Sequence, residues 1–194
     1  MALHAPEPPA TSLAAARDGV RELAAGGSIP PLARAERGAE PVLTHPRRLY
    51  QIDRDDLLAG AALSAARPVL WRYTVELDGR AVAFADTMTT PDGSDVLAQV
   101  NYGPFVAGIT EALEAAERNE GTTDAESRLL HVPALHLIAV WLHAPSGEDR
   151  LLPATPAPEG MEPGRSYPLE SILPELVARA RALPPARRGG AEGG

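Results

Sequence analysis

The chain contains neither cysteine nor lysine, and these two absences remove more chemistry than any motif supplies. Without cysteine there is no thiol nucleophile, no disulfide and no thiolate metal ligand. Without lysine there is no Schiff-base chemistry, no anchor for pyridoxal phosphate and no phosphate-gripping lysine of a P-loop. Arginine therefore supplies all 18 Lys+Arg positions, against 26 acidic residues, for a net charge of -8. Gripping a nucleic-acid backbone needs a basic face that such a balance does not offer, so no nucleic-acid partner is expected. Aromatic residues are scarce, with 2 Phe, 2 Trp and 4 Tyr, and much of the 44% hydrophobic content is alanine. The core is expected to be modest.

Long hydrophobic runs are missing too. The longest, at 132–142, is broken by Pro133 and His136 and falls short of the roughly 20 residues needed to span a bilayer. The first ten residues carry Glu7 and three prolines, Pro6, Pro8 and Pro9, which is unlike a secretory signal. The expectation is a soluble, cytoplasmic protein with no membrane partner. The abundance of Ala, Arg, Gly and Pro matches the codon bias of a GC-rich bacterial genome.

Proline is dense in residues 6–46 and 145–168 and sparse between them. That distribution predicts a Pro-rich arm with a short helix at 1–46 and a single domain at 47–183 carrying a Pro/Gly-rich excursion at 144–167. A flexible tail at 184–194 follows. In the arm, residues 11–25 read as a helix with Thr11 or Ser12 as cap, a stripe of Leu13, Ala16, Val20 and Leu23, and Gly26-Gly27 as the stop. Gly19 in its middle costs about 1 kcal/mol relative to Ala. Residues 28–46 read as connector.

Asp53 is expected to cap a helix reaching to about Ala66, with Asp56 completing a capping-box-like pair. Val69, Trp71, Tyr73, Val75 and Leu77 alternate with Leu70, Arg72, Thr74 and Glu76, the period of a strand with one buried face and one solvated polar strip. Asp78-Gly79 then signals a type I′ hairpin turn, returning through 80–88 to a third strand at 95–100. Gly103-Pro104 opens a central helix, since a first-turn proline loses no intrahelical hydrogen bond. Phe105, Ile109, Ala112, Leu113 and Ala116 form its inner stripe. Strand segments follow at 128–132 and 134–143, bent at Pro133, with Leu151-Leu152 as a further edge strand. A last helix at 172–183 has Ser171 as its cap. The predicted class is α+β: a mainly antiparallel sheet of about five strands packed with a central and a C-terminal helix.

No motif names a reaction. His131, His136 and His143 cluster in sequence, but without H-x-H or H-x-x-x-H spacing they suggest no metal site. The aspartates at 53, 55 and 56 and at 92 and 95 read as helix caps and turn formers rather than acid–base pairs. No nucleophile elbow or glycine-rich phosphate loop occurs. No catalytic residue, metal or cofactor is assigned, and catalysis is not the favoured reading. Two sites stand out. Asn101, Tyr102 and Gly103 lie where a strand meets a helix N-terminus, whose free N–H groups suit a small anionic ligand. Glu111, Glu114 and Glu117 form an acidic helix face suited to another protein. The favoured function is a non-catalytic protein-binding or adaptor module, like an immunity protein or a chaperone by analogy of composition. The alternative is a small-molecule-binding domain or enzyme with its site at the start of the central helix.

Overall fold

In a computed structural model the chain is described at residues 3–33, 40–60, 62–118, 125–145 and 148–184. The predicted tail from residue 185 onward and most of the loop after the central helix lie outside these residues. Five helices are described: α1 (Ala10–Ala25), α2 (Pro30–Ala33), α3 (Arg54–Leu58), α4 (Pro104–Glu117) and α5 (Leu169–Ala182). The strands are β1 (Val42–Gln51), β2 (Arg67–Leu77), β3 (Arg80–Thr89), β4 (Asp95–Tyr102), β5 (Glu126–Val132), β6 (Leu137–His143), β7 (Arg150–Pro153) and β8 (Tyr167–Pro168). They form one sheet of order β4-β3-β2-β1-β5-β6-β7-β8. Every pairing is antiparallel except β1 with β5, so the sheet is mixed.

The α+β class stands, with eight described strands instead of about five. The largest revision is β1, which begins at Val42 inside the stretch read as Pro-rich connector, and which is central in the sheet. Its pattern was hidden by His45-Pro46, where the β1–β2 register slips and His45 takes a φ of 47°. Proline cannot donate to a ladder, and a bulge is where a sheet tolerates it. The helix after Asp53 ends at Leu58 instead of reaching Ala66, and a 3-10 turn at Ala62–Ala65 follows. Asp53 makes no side-chain cap bond. Its carboxylate accepts instead from Gln51 and Arg67.

Both faces of the sheet are covered. Val106, Ile109, Ala112 and Ala116 of α4 pack on one face against Leu49, Phe84, Leu129, Val140 and Leu152. On the other face Ala16 and Val20 of α1 pack on Trp71, Tyr73 and Val75, while Ile172 and Leu176 of α5 pack on Leu130, Trp141 and Leu151. This double cover overturns the solvated strip expected on β2: Arg72 and Thr74 are buried, lying under the α4 side. For Arg72, two hydrogen bonds to Asp86 replace water, so a polar position in the alternation is not an exposed one. The bend at Pro133 is a tight reversal, a 3-10 turn ending at His136 with φ 49°, so β5 and β6 form a hairpin.

The helix ends also differ from expectation. Pro9, not Thr11 or Ser12, occupies the N-cap of α1. Ser12 is fully buried and bonds to the hydroxyls of Tyr73 at 2.7 Å and Thr87 at 2.6 Å. α5 starts at Leu169, with Pro168 rather than Ser171 at the cap. Among the described residues, no helix is long and apolar enough to cross a membrane.

Candidate functional site

The β1 bulge, the β2–β3 turn and the outer side of α4 converge on one groove of about 570 Å³. Asp78 and Gly79 both have positive φ, 51° and 72°, as a type I′ turn requires, and this turn closes one end. The floor comes from β1–β3 through Arg47, Thr74 and Ala81, flanked by His45, Glu76 and Arg80. The wall comes from α4 through Ala107, Thr110, Glu111, Leu113, Glu114 and Glu117. Glu111, Glu114 and Glu117, read from the sequence as an acidic face, all line this groove and are exposed. They are one side of a concave site.

The bulge at His45-Pro46 sets Arg47 opposite Arg72, beneath α4. Only 6% of Arg47 is exposed; its Nε donates to Ser127 Oγ at 3.1 Å and its Nη1 to the Pro46 carbonyl at 3.0 Å. Burial pushes this guanidinium below the usual arginine range, and the nearby Glu117 carboxylate opposes the shift. Arginine remains charged under such a perturbation. Thr74 is also 6% exposed, and its hydroxyl bonds to no described residue but is not one of the buried atoms without a partner, so it opens to the groove. Across the strand Thr44 donates to Glu76 at 2.6 Å, and His45 Nδ1 lies 3.3 Å from the same carboxylate. Glu114 has Arg118 at 3.7 Å, whereas Glu111 and Glu117 have no ion-pair partner among the described residues. The arrangement presents hydrogen-bond donors on the floor and carboxylates on the wall, which suits binding a polar, positively charged group.

Asn101, Tyr102 and Gly103 are placed differently. Asn101 Nδ2 donates to Asp86 at 3.0 Å, in a cluster where Asp86 also accepts from Gln99 and, twice, from Arg72. Gly103 is the N-cap of α4 with φ 101°, and Tyr102 is exposed beside it. None of the three lines a cavity among those described.

A second polar cluster, on the α5 side, was not anticipated. Arg128 lies over the rings of Tyr50 and Trp141 at 4.9 and 4.8 Å and holds Glu126 with two hydrogen bonds of 2.7 and 2.8 Å. That bonding draws the Glu126 carboxyl below its ordinary range. Asp149 accepts from Trp141 Nε1 and the Ala144 amide and lies 3.1 Å from His143 Nδ1, stapling the β6–β7 connection. The Glu126-x-Arg128 spacing puts both side chains on one strand face, the one sequence signal that could have found this pair. For Arg47 the signal was weaker still, since Pro46 disguised its strand. Among the described residues, no group of three His, Asp or Glu side chains is disposed to hold a metal ion. Comparison with protein-family models, with curated proteins and with solved structures found no match to this chain.

Proposed function

We propose that this protein is a non-catalytic binding module that holds a segment of a partner protein in the groove between α4 and β1–β3. The observation that carries the reading is the location of Glu111, Glu114 and Glu117 along a cavity whose opposite side holds Arg47 and Thr74. A convex acidic helix face is ordinary solvated surface; a concave one with donors at its base is preorganised for a ligand. The chemistry present is ionic and hydrogen-bonding. Thr110, the other groove hydroxyl, is committed to the Val106 carbonyl at 2.9 Å. The alternative, a small-molecule site at Asn101 to Gly103, draws less support because the Asn101 amide is already used by Asp86.

Site-specific photocrosslinking in cells of the source organism tests the proposal. A photoreactive residue at Ala107 should give a defined adduct with one polypeptide, and the same residue at Val69, outside the groove, should not. Adducts that are absent at 107, or equal at both positions, would overturn it.

A further inference from the structure

The groove's length and charge specify its occupant more narrowly. Residues 107–117 of α4 span about 15 Å at 1.5 Å per residue, and extended chain covers that distance in about four or five residues at 3.3 Å each. Along this length four carboxylates, Glu76, Glu111, Glu114 and Glu117, face two guanidiniums, Arg47 and Arg80. The excess is negative, so the complementary occupant is cationic. The floor adds a different demand. Arg47 Nη2 and the Thr74 hydroxyl bond to no described residue and stay open to the groove, neither being one of the buried atoms without a partner, and donors such as these are matched by an acceptor. A polyamine brings charge and no acceptor. An extended peptide brings a carbonyl at every residue.

Resting on the proposed function, we infer that the groove binds an extended basic segment of a partner protein, with lysine or arginine side chains at Glu111 and Glu117 and a main-chain carbonyl on Arg47 and Thr74.

The test uses the full chain and a fluorescently labelled peptide, acetyl-Arg-Ala-Arg-Ala-Arg-amide, followed by anisotropy. The double substitution Glu111→Gln with Glu117→Gln should weaken binding at least tenfold, about 1.4 kcal/mol, while the cooperative melting transition is retained with a small decrease in midpoint, since both side chains are exposed and only Glu117 supports the buried Arg47 charge. The same loss of charge at Glu22 and Glu170, outside the groove, should change it less than twofold. Thr74→Val should weaken binding about threefold. Spermidine should compete poorly at matched charge concentration. Equal losses from the two charge-matched double variants, or competition by spermidine as strong as by unlabelled peptide, would overturn the inference. Sequencing the segment crosslinked at position 107 separates the two readings. A basic segment supports both, a neutral or acidic one overturns only its basic character, and no segment at all overturns the groove itself.

Discussion

Asp86 is fully buried and accepts four hydrogen bonds: two from Arg72 at 2.7 Å each, one from Gln99 at 2.8 Å and one from Asn101 at 3.0 Å. The Arg72 guanidinium also lies over the rings of Phe84 and Phe105, at 5.3 and 5.4 Å, so it links β2, β3 and α4. Removing one member of a buried ion pair strands the other in low dielectric, which costs about 3–5 kcal/mol. Asp86→Ala is therefore expected to lower unfolding stability by about that amount in urea denaturation, and Asn101→Ala by about 1 kcal/mol. Both variants act through stability, whereas a ligand role for Asn101 would leave the midpoint of the Asn101→Ala variant unmoved. His131 carries a pH dependence. Burial, then the positive charge of Arg72, then His136, depress its pKa below 6.5. The folded state thus prefers the neutral imidazole, and its contribution is present above pH 6.5 and lost as pH falls through the depressed value. His131→Gln should flatten the decline in melting temperature below pH 6.5, relative to the parent chain.

At the scale of elements, Gly19 has the opposite meaning from the one its helix propensity suggests. A β-carbon there would sit 2.4 Å from Leu97 Cδ2 and 2.7 Å from Leu97 Cβ, so the glycine is what lets α1 lie against β4. Thr11 fastens the same junction by donating to Asp95 at 2.6 Å, a bond that draws the Asp95 carboxyl below its usual range. Gly19→Val should destabilise the fold by about 1–3 kcal/mol through overpacking, despite any gain in helix propensity. Combining it with Leu97→Ala should recover part of the loss in a double-mutant cycle, because the clash is with that one side chain. Gly79→Val should lower the melting temperature through the cost of a β-branched residue at φ 72°, about 1–2 kcal/mol. The hairpin and α4 were legible because their signals are local: Asp-Gly between alternating runs, and Gly-Pro before a helical stripe. β1 was illegible because Pro46 and the left-handed His45 conceal a strand whose stability comes from its neighbours β2 and β5. The acidic residues of the groove were legible as a set, but their concavity was not, since it depends on where α4 crosses the sheet.

On the scale of the whole molecule, the strand order is mirrored about the parallel β1–β5 pair, and each half is a four-stranded meander followed by a helix. A two-fold axis running along the strands would keep β1 and β5 parallel, reverse the order outward and send the two closing helices to opposite faces. α4 and α5 do lie on opposite faces, so the groove beside α4 belongs to one half only. The N-terminal segment is woven into this frame. The Ser127 amide donates to the His4 carbonyl at 2.7 Å, just before the β1–β5 pairing that starts at Leu49 and Leu129, and α1 seals Tyr73 and Val75, both fully buried, with Trp71 nearly so. An arm merely tethered to the body would be dispensable. Here, deletion of residues 1–28 uncovers the apolar face of β2 and β3 and breaks the bonds of Ser12 to Tyr73 and Thr87. Exposed contiguous apolar surface of this kind drives association and dye binding. The truncated chain is expected to bind an anilinonaphthalene dye strongly and to lose its cooperative melting transition. A sharp transition with the parent midpoint, and no dye binding, would mean that residues 29–194 fold without the N-terminal arm and that α1 contributes nothing to the core.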